Sequence, residues 1–402
     1  MRYPFADRVK MVKSSAVRDL LSVIKKGDIV SFAGGMPFEG FFPIEAVERA
    51  YNKVFQSGKG SMQYGLTEGF VPLREALTEK MKEKSIQSKT ENILLTTGSQ
   101  QAIDLFTRIM ISPGDVILTE NPTYLAALQV FQSFEAQVIA VEGDKDGMDP
   151  EDLESKMRQY RPKFVYVVPT FSNPEGKVWS YERREQLLKL AQKFNVLIFE
   201  DDPYGDIQFN DQMTYTPLAA MDVEGTHVMY TSTFSKTVVP ALRTGWITGP
   251  YQVIRMMAQA KQSADLHSSS LDQQALYYLL QEFDLAGHIQ LLRKEYHQRM
   301  MIMQDYLGKI EATSVSWVEP QGGMFLWVKL DEQVDTTGLL MDAIKEGVAF
   351  VPGAPFYAGS PQTNTLRLNY THSTPERLKL GMDRLSNVLN RLQMGNESPL
   401  IL

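Results

Sequence analysis

Short runs of this chain are apolar at nearly every position, and amphipathic segments separate them. Residues 93–97, 116–119, 136–141, 164–168, 196–200 and 227–230 read this way. A strand without polar alternation is buried on both faces, and helices between such strands cover the two faces of a mainly parallel sheet. Helical spacing is predicted over residues 44–55, 71–84, 99–110 and 183–194, with longer helical stretches over 253–287 and 288–309. A short helical pattern also falls within residues 1–26, with Val17, Leu20, Leu21 and Ile24 on one face. After residue 309 the pattern changes. Short strands are expected at 315–318, 322–328, 348–351 and 365–370, with helices near 337–346 and over 375–392. A chain of 402 residues exceeds the size at which one core stops growing. The expectation is an α/β chain: a large domain over residues 46–287 on a mainly parallel sheet, and a smaller α+β domain over 288–402. The N-terminal segment, residues 1–45, is expected to contribute to the small domain.

In sheets of this kind chemistry gathers at the carboxyl ends of strands. Asn173, Asp201 and Lys236 each follow a strand in this register. Lys236 lies in Thr231-Ser-Thr-Phe-Ser-Lys236-Thr, among four neighbouring hydroxyl side chains, with Arg243 seven residues on. Near other cations, or out of water, a lysine's pKa falls and its free amine becomes a Schiff-base nucleophile. Asp201 ends an apolar run, and a buried carboxylate is costly unless it meets a cation. Gly98 and Ser99 open the helix that follows residues 93–97, where exposed N–H groups suit a phosphate. An ordinary serine N-cap gives the same local pattern. The paired Gly34 and Gly35 let the backbone turn sharply or approach a ligand.

Composition narrows the chemistry. Cysteine is absent, which excludes thiolate catalysis, disulfides and Cys-ligated metals, and five scattered histidines give no expectation of a metal site. With 41 basic and 48 acidic residues, a net charge of −7 and no basic run, neither nucleic-acid nor membrane-surface binding is supported. The N-terminus lacks an apolar leader core, so a cytoplasmic enzyme is the expectation.

One ligand uses all of these groups together. Pyridoxal 5′-phosphate offers an aldehyde to Lys236, a pyridine nitrogen to Asp201, a ring oxygen to Asn173 and Tyr204, and a phosphate to Ser99 and Arg243. Tyr124 supplies an aromatic face for its ring. The segments Ser31-Phe-Ala-Gly-Gly-Met-Pro37, Gln63-Tyr64, Thr97-Gly-Ser-Gln-Gln101, Asn173-Pro-Glu-Gly176 and Glu200-Asp-Asp-Pro-Tyr204 occur in order along the chain. They are followed by Phe234-Ser-Lys236, Leu242-Arg243, Gly322-Gly-Met-Phe325, Val351-Pro-Gly-Ala-Pro-Phe356 and Leu366-Arg367-Leu368. With these segments the chain resembles the fold-type I pyridoxal-phosphate-dependent aminotransferases, and within them the 2-aminoadipate/kynurenine aminotransferase group.

That resemblance covers nearly the whole chain and implies the fold-type I transferase architecture, with a mainly parallel seven-stranded sheet in the large domain. It implies catalytic roles for Lys236, Asp201 and Tyr204. Cofactor contacts would come from Gly98, Ser99, Gln100, Tyr124, Asn173, Thr233, Ser235 and Arg243. Tyr64 would reach the phosphate bound by a partner subunit, so a homodimer with shared sites is implied. On the substrate side Arg367 would clamp the α-carboxylate, with Gly35 and Asn173 beside it, and Arg18 would meet a distal carboxylate. The activity implied is transfer of the amino group of an L-amino acid (2-aminoadipate, aromatic or branched-chain) to 2-oxoglutarate in a ping-pong cycle. Pro203 stands where alanine is common and Thr233 where serine is common; neither removes a required group. A C–S lyase or other eliminating enzyme on the same fold shares the core residues and is the alternative. A regulator on this fold would carry a DNA-binding helix-turn-helix upstream, whereas here the catalytic domain is reached within about 30 residues. A nicotinamide-binding reading lacks its glycine fingerprint.

Overall fold

The six apolar runs become strands β1 (Ile93–Thr96), β2 (Val116–Thr119), β3 (Gln137–Ala140), β4 (Phe164–Val167), β5 (Leu197–Asp201) and β6 (Val228–Thr233), and a seventh strand, β7 (Gly245–Thr248), was not anticipated from such a run. They are seen in a computed structural model that describes residues 3–6, 8–9, 28–311 and 314–394. The seven strands form one sheet in the order β1-β7-β6-β5-β4-β2-β3. Only β7 runs antiparallel to its neighbours, pairing Gly245 with Thr96 on one side and Thr233 on the other. The architecture is mixed α/β around a mostly parallel sheet.

Strand geometry sends alternate residues to opposite faces. Val165, Ile198 and Val228 are register partners in one row and pack into a core with Leu187 and Leu188 from the helix Tyr181–Phe194. The next row, Tyr166, Phe199 and Met229, faces the other layer. There Phe106, on the helix Ser99–Met110, meets the Phe164 and Phe199 rings at 4.9 and 5.1 Å. Each buried phenyl ring contributes roughly 1.5–3 kcal/mol relative to exposure. Asp201 lies two residues beyond Phe199, so it shares the face on which that helix begins.

A second sheet is antiparallel, in the order Ser316–Trp317, Phe325–Lys329, Thr365–Asn369, Val351–Pro352. The helices Leu285–Leu307 and Pro375–Met394 contribute Tyr296, Met300, Leu378 and Met382 to the core beneath it. The N-terminal strand Val30–Ser31 pairs in parallel with Val348–Ala349, and Val30 and Phe32 enter the same core. No described helix is long and apolar enough to cross a membrane.

Three local readings change. The stretch 253–287, expected as one helix, is two, Tyr251–Asp265 and Ser270–Glu282. Leu266 takes φ 63° between them, and the Ser269 side chain caps the second by accepting from Asp272 N. Strand β6 runs to Thr233, past the expected end at residue 230, because the reversed β7 continues its ladder that far. The helix Pro150–Tyr160 was not anticipated, although Asp149 caps it twice and Pro150 opens it, a start signal present in the sequence. The face of the helical pattern expected within residues 1–26, formed by Val17, Leu20, Leu21 and Ile24, lies outside the described residues.

Gly245 sits where β7 crosses the start of the helix Ser99–Met110. A Cβ there would lie 2.8 Å from Gly98 C and 2.9 Å from both Ser232 O and Ser99 N, all of them backbone atoms that cannot swing aside. Gly245→Ala should therefore destabilise the fold by about 1–3 kcal/mol through overpacking. The measurement is the urea midpoint, and an unchanged midpoint would show that the strand crossing has room to spare.

Candidate active site

Because β7 is reversed, its N-terminal end joins the C-terminal ends of β1, β4, β5 and β6 at one edge of the sheet. A cleft at that edge is lined by Gly98, Ser99, Gln100, Tyr124, Val168, Asn173, Asp201, Pro203, Tyr204, Thr233, Ser235, Lys236 and Arg243. Eleven of these residues are site positions expected from the sequence, all but Val168 and Pro203, and the arrangement of charge among them decides what the cleft can do.

Lys236 stands in the turn after β6, and its Nζ donates to Gly35 O at 2.8 Å. Burial, together with the positive fields of Arg243 and Arg367, lowers its amine to about 8. At pH 7 about a tenth of it is thus uncharged and nucleophilic, a fraction far above that of a solvated lysine. Asp201 closes β5, only 2% exposed. Its Oδ2 accepts from the Tyr166 hydroxyl at 2.8 Å, and its Oδ1 is buried without a partner. Burial pushes its carboxyl up to about 7 against the Tyr166 hydrogen bond, with the neighbouring Asp202 charge adding to the rise. An orphaned carboxylate oxygen in a cleft is a strong acceptor awaiting a donor.

At the opposite end the helix opens at Ser99 with Gly98 as its N-cap, and no side chain caps it. The ordinary serine cap is therefore not what forms here, and the first-turn N–H groups face the cleft. Gly98 has φ 73°, and a Cβ on it would lie 2.6 Å from Arg243 Nη2. Arg243, itself in the left-handed region at φ 46°, donates to Thr97 O and to Ser235 Oγ, each at 3.3 Å. Thr233 Oγ1 bonds Ser235 Oγ at 3.0 Å and Thr244 O at 3.1 Å, so the hydroxyls are organised around the guanidinium. Tyr124 donates to Gln100 Oε1 at 3.4 Å, tying the wall loop after β2 to the same helix.

Arg367 arrives from the second sheet. It is 3% exposed, with Nη1 donating to Asn173 Oδ1 at 2.7 Å and Nη2 to Ala33 O at 2.6 Å. Its guanidinium lies 4.3 Å from the Phe325 ring centre and 5.1 Å from that of Phe356. Burial lowers its pKa to about 10, which leaves it charged at neutral pH. Tyr204 hydrogen-bonds Asn173, and burial raises its phenol above the ordinary range.

Tyr64 is not in this group: it is 78% exposed and meets His267 edge-on at 5.8 Å on another face. Arg18 lies outside the described residues. Asp202, beside Asp201, has a structural load of its own. It is buried, paired with Lys84 at 3.2 Å, and accepts from the Tyr230 hydroxyl at 2.7 Å and Gly205 N at 2.8 Å. Its asparagine variant would strain that network. Tyr166 was missed, and the signal was available: a single hydroxyl inside the apolar run Phe164–Val167. Among the described residues no cluster of His, Asp and Glu could hold a metal ion.

The model of the family described as aminotransferase class I and II matches residues 29–385. The chain is similar to aromatic-amino-acid aminotransferase 1 of Thermococcus litoralis, 38% identical over 96% of this chain and 94% of that one. It is similar to the 2-aminoadipate transaminase of Thermus thermophilus, 33% identical over 95% of both chains. Among solved structures, the kynurenine aminotransferase of Pyrococcus horikoshii, in complex with PMP, superposes with a TM-score of 0.91 at 38% identity, covering 97% of each chain.

Tyr166→Phe removes the one hydrogen bond that favours the ionised form of Asp201. The Asp201 carboxyl should then rise further above about 7, since the hydrogen bond that offsets its burial is gone. Any property that needs the carboxylate, cofactor retention included, should fail at correspondingly higher pH on its acid side. A titration of cofactor retention against pH with an unmoved acid limb would count against this coupling.

Proposed function

The chain belongs to the class I and II aminotransferase family, and from that premise we propose how its residues carry out transamination with pyridoxal phosphate. The observation that carries the reading is the convergence, in one cleft, of a lysine amine lowered to about 8 and a buried carboxylate with an unpartnered oxygen. The residues fit the cofactor: the orphaned Asp201 Oδ1 suits a protonated ring nitrogen, and the uncapped helix start at Ser99 with Arg243 suits a phosphate. When bound, the cofactor supplies an electron sink for the bond broken at the amino acid's Cα.

In this reading the Lys236 amine would hold the cofactor and would also move the proton at the amino acid's Cα as a positioned base and acid. Asp201 keeps the pyridine nitrogen protonated, and Tyr166 keeps Asp201 oriented. Asn173 and Tyr204 would hold the cofactor's ring oxygen, and Tyr124 would supply an aromatic wall for its ring. Gly98, Ser99, Gln100, Thr233, Ser235 and Arg243 surround the phosphate. Arg367 binds the α-carboxylate, a bidentate task for a planar guanidinium, with Gly35 and Asn173 beside it.

The donor range we propose is 2-aminoadipate with aromatic or branched-chain amino acids, and 2-oxoglutarate as acceptor; the named relatives support the first two classes. Arg18 is proposed to favour distal carboxylates. A homodimer with shared sites is proposed because Tyr64 is exposed beside Met62 and Leu66, which are 57% and 56% exposed. Residues 46–287 are proposed as the cofactor-binding domain, and 288–402, joined by 1–45, as the smaller one.

Two outcomes test the assignment of roles. Lys236→Ala should fold normally, retain cofactor only non-covalently and lose turnover, so substantial steady-state transamination by the variant would refute its role. Asp201→Asn should cost several kcal/mol of transition-state stabilisation, on the order of a thousandfold in kcat/KM. A donor panel with 2-oxoglutarate, read as kcat/KM, tests the side-chain range, and Arg18→Gln should raise KM for dicarboxylates more than for apolar donors.

A further inference from the structure

Residues 33–41 lead away from the Val30–Ser31 strand, and two of their carbonyls face cations of the site. Gly35 O accepts from Lys236 Nζ at 2.8 Å, and Ala33 O accepts from Arg367 Nη2 at 2.6 Å. What holds these carbonyls in place lies outside the cleft, on the helix Leu285–Leu307. The Tyr296 hydroxyl of that helix accepts from Phe38 N at 3.2 Å. One turn on, the Arg299 guanidinium lies 4.3 Å from the Phe38 ring centre and 5.1 Å from that of Phe41. The two rings meet edge-on at 5.1 Å. Arg299 Nη1 also donates to Thr371 O at 2.6 Å, and the Thr371 hydroxyl donates to Met36 O at 2.9 Å. The contacts close a loop, from Arg299 through the phenyl rings to the segment, through Met36 to Thr371, and back to Arg299.

Arg299 is only 2% exposed, and its Nε has no partner. No ion pair to a carboxylate reaches it among the described residues. A cation buried this way is expensive, and what it meets instead is three aromatic rings, those of Phe38, Phe41 and, at 5.9 Å, Tyr296, and one carbonyl. That choice suits a part that must grip a loop by shape. A salt bridge would neutralise the charge and fix only one atom of the segment.

We infer that Arg299 is a positioning residue, which through Phe38, Phe41 and Thr371 fixes residues 33–41 so that Gly35 and Ala33 present their carbonyls to Lys236 and Arg367. This rests on the roles proposed above for those two cations, and it places a determinant of amino-acid binding on a helix that does not line the cleft. Lysine cannot replace Arg299 here, because it keeps the charge but lacks the planar face and the fork of donors. A loosened segment must be re-ordered each time substrate binds, and that cost falls on binding more than on chemistry.

The test is hydrogen exchange by mass spectrometry on the cofactor-loaded enzyme, alongside kinetics with one amino donor and 2-oxoglutarate. Arg299→Lys should speed exchange about tenfold within residues 33–42 alone, and raise KM for both substrates about tenfold with kcat changed less than about threefold. The cofactor absorbance should stay as in the wild type. Phe38→Leu removes a ring face without touching the guanidinium and should reproduce the effect, and it decides the matter should Arg299→Lys fail to fold. Unchanged exchange in residues 33–42 would overturn the inference. So would faster exchange spread equally over the central sheet, the mark of a merely structural residue, or local loosening with unmoved KM. Lys236→Ala keeps the two readings apart: if it sustains turnover, the role of Lys236 falls, while the exchange result still judges Arg299.

Discussion

Three cations share one site, and each is met by a backbone carbonyl. Lys236 has Gly35, Arg243 has Thr97 and Arg367 has Ala33. A carboxylate in any of these places would cancel a charge, whereas a carbonyl dipole orients the cation and leaves its charge whole. Two properties follow from that single choice. The Lys236 amine falls to about 8, because burial and the two guanidinium fields are not offset. The site also keeps positive charge for the anionic groups of its ligands. Asp201, the carboxylate lining the cleft, is bonded by a neutral hydroxyl instead of by one of these cations.

Such an arrangement needs parts from distant places in the chain. The parallel strands deliver Asn173, Asp201 and Lys236 to one edge, as strand-end chemistry in open sheets requires. The reversed β7 then brings Arg243 to that edge from the other direction, against a helix start that only glycines at 98 and 245 allow to come so near. The second sheet supplies Arg367, and the segment after Val30–Ser31 supplies the carbonyls for two of the three cations. A cleft between these parts is complete only when both sheets and that segment are in place.

How much of this was legible in the sequence follows from the range of each interaction. Lys236, Asp201 and Asn173 could be placed because strand ends are marked by apolar runs, and those runs are local. Ser99 was ambiguous for a local reason too, since capping and ligand binding use the same residue type; only the glycine N-cap resolves it. The break at Leu266 was hidden because a single positive φ leaves the flanking helical spacing intact. Tyr166 was legible as the one hydroxyl in an apolar strand, but its partner Asp201 lies 35 positions on. The load on Asp202, its pair with Lys84, left no local mark because it spans 118 positions of sequence. Arg299 shows no sequence signal at all, since its partners lie on a loop more than two hundred residues earlier.

The burial of Arg367 explains why the fold spends so much structure on one side chain. Stripping water from a guanidinium is costly, and at an exposed site that cost would recur with every substrate that binds. Here it is met once, on folding, by the Phe325 and Phe356 rings and by hydrogen bonds to Asn173 and Ala33. Its pKa, lowered only to about 10, leaves the charge in force at neutral pH. In the role proposed for Arg367, an arriving carboxylate meets a cation already dry and already aimed, and exchanges with neutral acceptors instead of with bulk water. Since those acceptors sit on residues 33 and 173, which belong to two separate loops, the aim of Arg367 depends on both loops being held still. Electrostatic preorganisation at this site is thus a property of the packing behind it as much as of the arginine itself.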